Sequence, residues 1–253
     1  SSAFQISPIV ENTGRKVSLK LQESPTSEGG SINPDDVYGT YRPFVDHAWA
    51  RLQESGLIAA EEPSDTITNE SQAKGMPEGS VVRITIQKAK ETKVPILYAR
   101  YALLETIVPG VTKNEKGIQV LNLVVFCKPP LPVWGVDLVS LPGDKHLLAM
   151  DVQPMVSKPS DFEPQWKEWY AENVEGQFEW GGDLPPAAKK FFSPYALWTR
   201  LSGKEGLEKI QSDLFPAFCK HLELFIDSVK ECEQRNLVVD DNDDHQQEYL
   251  EYR

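Results

Sequence analysis

Two carboxylates stand inside strand-like apolar segments, Asp137 in Trp134-Gly-Val-Asp137-Leu-Val139 and Asp151 in Leu148-Ala-Met-Asp151-Val-Gln-Pro154. Burying a carboxylate is costly unless it is paired or protonated, and desolvation raises its pKa toward the range useful to a general acid. Both are therefore candidates for proton transfer, against the plainer alternative that each points to water or closes a strand end. Glu105, in Leu103-Leu-Glu105-Thr106, is a weaker member of the same set. Asn122 interrupts Val120-Leu-Asn122-Leu-Val-Val-Phe126 with a side chain that donates and accepts hydrogen bonds, which suits a structural bond nearly as well as a ligand contact.

Other chemistries lack their residues. No G-x-G-x-x-G, G-x-x-x-x-G-K-[ST], H-E-x-x-H or G-x-S-x-G pattern occurs, so nicotinamide, nucleotide, zinc-protease and hydrolase readings find no support. A redox reaction here would draw its electrons from outside the chain. His47, His146, His221 and His245 are scattered, as expected of surface or core residues rather than metal ligands. Cys127, Cys219 and Cys232 form no Cys-x-x-Cys pair, which argues against a disulfide framework, a structural zinc site or an iron–sulfur cluster and for a reducing compartment. With 26 Lys and Arg against 38 Asp and Glu, the net charge of -12 opposes nucleic-acid binding. No apolar run reaches the roughly 20 residues of a membrane span.

These residues need a scaffold, and the hydrophobic pattern supplies one. Residues 1–40 are polar and rich in Ser, Glu, Gly and Pro, expected to be largely irregular, while 41–253 carry the fold. Phe44, Ala48 and Leu52 before Gly56 predict a helix, and Glu61–Gly79 has loop composition. Val81–Gln87, Ile96–Ile107, Ile118–Cys127, Gly135–Ser140 and His146–Val152 predict strands of an antiparallel meander, with turns at Pro109–Gly117 and Pro142-Gly-Asp144. Beyond Pro154 the pattern turns helical, over Gln165–Val174, over Pro185–Leu201 around a Ser193-Pro194 break, and over Glu205–Gln234. In the last stretch Leu207, Ile210, Leu214, Phe218, Leu222, Phe225 and Val229 recur every three or four residues, an apolar stripe that the sheet must cover. The expected class is α+β: one domain, an α/β/α sandwich with a central antiparallel sheet. Asp240-Asp-Asn-Asp-Asp244 lacks EF-hand spacing and is expected to be a solvated loop.

Four segments, in order and spacing, resemble the ferredoxin-dependent bilin reductases: Ile118–Phe126, Pro132–Val139, Leu148–Pro154 and Trp180-Gly-Gly through Ser193-Pro194 to Trp198-Thr-Arg200. The resemblance covers roughly Val81 to Arg253 and implies an α/β/α sandwich that binds no cofactor. Reduced ferredoxin would deliver electrons singly, through a radical intermediate, to a linear tetrapyrrole held between the sheet and the C-terminal helices. The family's central aspartate falls on Asp137, which the resemblance makes the proton donor. Members that make phycocyanobilin carry a histidine where this chain has Asn122. Trp180-Gly-Gly, Phe192-Ser-Pro and Leu197-Trp-Thr-Arg200 are most similar to members that reduce the A-ring diene, which implies conversion of 15,16-dihydrobiliverdin to phycoerythrobilin.

The implied substrate site draws on Leu103, Glu105, Asn122, Ser193, Pro194, Trp198 and Arg200, the last four of which could equally fix the C-terminal helices. Asp151, in the family's Asp-x-Gln-Pro motif, is expected to be mainly structural. A second donating aspartate follows a Gln-x-x-Tyr helix in A-ring reducers; Gln246–Tyr252 begins such a helix here, so that donor is expected beyond Arg253. Ferredoxins are acidic, so docking on this acidic chain needs a local positive region, for which Lys189, Lys190, Lys204 and Lys209 are candidates beside Arg200. A monomer is expected, receiving its substrate from a preceding bilin reductase. Its expected address is the plastid stroma, or the cytoplasm in a cyanobacterium. The competing readings are reduction of biliverdin at C15=C16, both reductions in turn, or a non-catalytic bilin carrier.

Overall fold

In the computed structural model the β-branched and aromatic runs pair edge to edge into one antiparallel sheet. The residues described are 38–59, 65–93, 95–109, 113–114, 117–128, 131–153, 186, 189, 192–193 and 195–234. Strand β1 (Tyr38–Gly39) precedes helix α1 (Arg42–Glu54). Then come β2 (Asp65–Gln72), β3 (Val81–Lys88), β4 (Ile96–Ile107), β5 (Lys113–Asn114), β6 (Gln119–Cys127), β7 (Val133–Leu141), β8 (Lys145–Gln153) and β9 (Leu197–Ser202). Helix α2 (Gly203–Lys209), a π-helical turn (Ile210–Leu214) and helix α3 (Phe215–Gln234) follow. Seven strands lie in the order β2-β3-β4-β6-β7-β8-β9, each antiparallel to its neighbour, while β1 and β5 form a separate parallel pair. The expected α+β class and the central meander are what the chain forms.

Tight connections hold the register. Between β7 and β8, Gly143 (φ 84°) and Asp144 (φ 52°) both take the left-handed conformation that glycine and aspartate tolerate. Before β6, Gly117 (φ 82°) stands where an added Cβ would lie 2.5 Å from the Thr106 hydroxyl, itself bonded to Ile118 N and O.

Alternation along each strand divides the sheet into two unlike faces. One carries Ala99, Tyr101 and Leu103 of β4, Leu121, Leu123 and Val125 of β6, and Trp134, Val136 and Leu138 of β7, all buried. The described helices all pack here. Phe44 of α1 meets Phe215 and Phe218 edge-on, each at 5.0 Å, Trp49 meets Tyr101 at 5.1 Å, and Trp134 stacks on Phe225 at 5.7 Å. The seven stripe residues from Leu207 to Val229 are all buried. At roughly 1.5–3 kcal/mol for each fully buried large apolar side chain, this stripe is what holds the C-terminal helices to the sheet. Pro216 can neither donate to the Ser212 carbonyl nor avoid it, which accounts for the widened turn just before α3. The turn also absorbs the drift of the four-residue spacing Ile210, Leu214, Phe218, so the stripe stays on one side.

Two expectations are corrected. Asp65–Gln72 is an edge strand rather than part of a loop; its residues 66–72 are exposed, so it carries no apolar alternation. Leu197–Ser202 is the opposite edge strand rather than the end of a helix, since pairing with β8 overrides the helical composition around it. The helix expected at Gln165–Val174, the polar segment 1–37 and the acidic run 240–244 lie outside the described residues. No described helix is long and apolar enough to cross a membrane.

Candidate active site

The second face gathers the polar residues that alternation sends away from the helices. Register places Ile67, Ile86, Ala102, Asn122, Asp137, Ala149 and Trp198 in one row across all seven strands. A neighbouring row is aliphatic at its centre, with Leu104, Val120, Val139 and Leu147 leading to Arg200. On the other side lie Arg100, Val124, Gly135 and Asp151. No described residue stands within 4 Å of where a Cβ on Gly135 would be, so among the described residues the sheet floor two residues from Asp137 is bare.

Asp137 is exposed, so the carboxylate expected to be buried is the accessible one. The reason is parity: Trp134, Val136 and Leu138 take the helix-covered side and leave Asp137 on the other. The Asn122 amide nitrogen donates to Asp137 Oδ1 at 2.6 Å, and Arg100 Nη2 donates to Asn122 Oδ1 at 2.7 Å. These bonds leave Asp137 Oδ2 as the oxygen turned toward neither partner. Arg100 was not legible as part of the site, because only the cross-strand register sets it beside Asn122.

Asp151 is the buried carboxylate, 4% exposed. It accepts hydrogen bonds from the backbone N–H of Ser193 at 2.8 Å, from the Ser193 hydroxyl, and from Gln153 Nε2 at 3.1 Å. Burial raises its pKa and the bonds from Ser193 and Gln153 oppose that rise. Asp151 thus clasps Ser193, four residues before β9 begins. Trp198, 9% exposed, lies next to Ala149 in the Asp137 row, with the Arg200 guanidinium 5.3 Å from its ring centre.

Leu103 and Glu105 do not join this site. Both lie on the helix-covered face, Leu103 at 0% and Glu105 at 1% exposure, because odd-numbered β4 residues point toward α1. Glu105 forms an ion pair with Arg42 instead, a structural tie between α1 and the sheet. Lys189 is exposed, whereas Lys204 pairs with Glu208 at 3.8 Å and Lys209 with Glu205 at 3.5 Å, which offsets the charge those two offer a partner. Pro194 and Lys190 lie outside the described residues. Among the described residues no three His, Cys, Asp or Glu side chains gather around one point. His221 is a core residue: its Nδ1 accepts from Trp134 Nε1–H at 2.8 Å, and burial lowers its pKa to about 4.

Such a face can hold a flat, largely apolar molecule against the sheet and offer it one oriented carboxyl. Comparison with known proteins gives this arrangement its family. Residues 109–253 match the family model described as ferredoxin-dependent bilin reductase. The phycoerythrobilin:ferredoxin oxidoreductase of Nostoc punctiforme is 33% identical over 225 residues, covering 84% of this chain and 81% of the relative. That of Parasynechococcus marenigrum is 34% identical over 214 residues, covering 80% and 76%. Among solved structures, phytochromobilin synthase from tomato in complex with biliverdin is similar at 19% identity and a TM-score of 0.49, covering 75% of this chain and 63% of that one. The chain belongs to the ferredoxin-dependent bilin reductase family and is an oxidoreductase of that family.

Proposed function

We propose that this enzyme reduces the A-ring diene of 15,16-dihydrobiliverdin to phycoerythrobilin, with electrons from reduced ferredoxin and a proton from Asp137. The observation that carries the reading is the exposed Asp137 carboxyl, held by Asn122 at the centre of a sheet face bordered by Val120, Val139, Leu147 and Trp198. The relatives named above, both phycoerythrobilin:ferredoxin oxidoreductases, support this branch. The balance is two electrons and two protons per diene. Ferredoxin supplies the electrons one at a time, and the tetrapyrrole carries the unpaired electron between them. Asp137 gives one proton from Oδ2 and regains it from solvent, and the second proton is drawn from solvent. Asp151 is not the second donor in this reading, because its oxygens are committed to Ser193 and Gln153.

The test is an anaerobic absorbance time course with reduced ferredoxin, biliverdin and 15,16-dihydrobiliverdin being offered separately to wild type and Asp137→Asn. Turnover of dihydrobiliverdin alone to phycoerythrobilin, lost in the variant with pigment binding retained, supports the proposal. Turnover of biliverdin instead moves the enzyme to the C15=C16 step, full activity of Asp137→Asn removes Asp137 as donor, and pigment binding without turnover leaves a bilin carrier.

A further inference from the structure

We propose that Arg100 is a positioning residue for the reaction, acting through Asn122 to fix which oxygen of Asp137 carries the transferable proton. The inference rests on the reading of Asp137 as proton donor. The three side chains form a directional chain: Arg100 Nη2 donates to Asn122 Oδ1 at 2.7 Å, and Asn122 Nδ2 donates to Asp137 Oδ1 at 2.6 Å. A carboxamide can present either end to a neighbour, and on its own Asn122 could turn its oxygen to Asp137 and accept a hydrogen bond from the protonated acid. Arg100 forbids that orientation. A guanidinium has only donors, so the oxygen of Asn122 must face Arg100 and the NH2 must face Asp137. Asp137 Oδ1 is thereby held as an acceptor, and when the acid is protonated its hydrogen sits on Oδ2, turned away from Asn122.

Arg100 lies one strand away from Asn122 and is two strands from Asp137, so it acts at one remove. Without it, a protonated Asp137 can satisfy itself internally by donating to Asn122, and the fraction of molecules with the proton aimed outward falls. The loss belongs to the chemical step rather than to binding, because Arg100 and the bound pigment need not touch. General acid catalysis is worth roughly 10²–10⁴-fold, and misdirecting the proton forfeits part of that.

The test compares wild type with Arg100→Leu and Arg100→Lys in the full chain. In substrate-free protein the side-chain amide resonances of Asn122 are assigned by NMR through the Asn122→Asp variant. Steady-state constants are measured anaerobically with reduced ferredoxin and dihydrobiliverdin. Expected is a shift of the Asn122 amide signals in Arg100→Leu and their return toward wild type in Arg100→Lys, which keeps one donor. With it go a fall in kcat of about tenfold or more in Arg100→Leu, KM within about threefold, and partial recovery in Arg100→Lys. Unmoved Asn122 signals in a folded Arg100→Leu protein overturn the proposal. So does a change confined to KM, which would make Arg100 a binding residue. Because the NMR arm needs no turnover, loss of Asp137 as donor and loss of the Arg100 contact are told apart.

Discussion

Trp134 and Asp137 are three residues apart on β7 and point to opposite sides of the sheet: the indole stacks on Phe225 at 5.7 Å, while the carboxylate is exposed beside Asn122. An odd separation along a strand always divides two side chains in this way. The helix-covered core and the proposed proton donor therefore stand on separate faces, and substitutions at the two should be separable by measurement.

Glu105→Gln tests that separation on the structural side. The carboxylate is 1% exposed and bound by Arg42, so the neutral amide weakens the tie and leaves the guanidinium with an uncharged partner. Because Arg42 keeps 24% side-chain exposure, water compensates in part, and a loss of about 1–3 kcal/mol is expected in urea denaturation. KM for the tetrapyrrole should stay within about twofold, since the residue faces α1 rather than Asp137. A large rise in KM at unchanged stability would return Glu105 to the substrate site.

How far these positions were legible from sequence follows from what sets each of them. Strands β4, β6, β7 and β8 announce themselves because each buries at least one apolar face, β3 through its β-branched run although the residues it buries are Thr85 and Gln87, and the Leu207–Val229 stripe because its side chains must be covered. The edge strands β2 and β9 do not. Residue Ile67 of β2 is 63% exposed, and what makes it a strand is backbone pairing to β3, which leaves no mark on composition. The same holds within the site. Asp137 and Asn122 stand out as polar residues in apolar strands, but the face each occupies depends on register. That is why Glu105, another carboxylate in an apolar strand, is grouped with them together with its neighbour Leu103, and Arg100 is not.

The buried His221 gives the protein an acid-sensitive core. Burial holds its native pKa near 4, below the ordinary value of 6.5, so the native state keeps it neutral while the unfolded chain takes up a proton. Stability from this group is complete above about pH 6.5 and falls as pH drops toward 4, with a slope of up to about 1.4 kcal/mol per pH unit. Burial also lowers the pKa of His47 and His146, which add in the same direction. Asp151, whose pKa burial raises, works the opposite way close to its own titration. His221→Gln isolates the effect, because glutamine can still accept from Trp134 but does not titrate. Guanidinium denaturation from pH 7.5 to 4.5 should show a flatter acid limb in the variant, and identical limbs would remove His221 as the cause.

Asp151→Asn should act on β9 before it acts on chemistry. The carboxylate accepts from both the backbone and the hydroxyl of Ser193, and an amide must turn a donor toward one of them. A cost of about 1–3 kcal/mol is expected, concentrated where the clasp is lost. Amide hydrogen exchange over Ser193–Trp198 should speed up while β4 and β6 keep their protection. If exchange in β9 is unchanged and only turnover falls, Asp151 belongs to the reaction instead.

Gly135 offers the most direct probe of where the tetrapyrrole lies. It sits on the Asp137 face, two residues away on the same strand, with no atom of the described residues within 4 Å of where its Cβ would stand. Its backbone does not take the left-handed conformation, so a larger residue is accommodated without strain, and a β-branched one gains strand propensity. Gly135→Val should therefore fold with a Tm at or slightly above that of wild type. Its two methyl groups would rise from the floor on which the proposed substrate rests, and a pigment that must lie flat against the sheet loses contact with Asp137 as well as with the floor. KM should rise at least tenfold and kcat should fall with it, since a displacement of about an ångström is enough to spoil proton delivery. Gly135→Ala, adding one methyl group, should fall between. Wild-type constants in a well-folded Gly135→Val protein would mean that the tetrapyrrole binds away from this face, and the assignment of Asp137 would go with it.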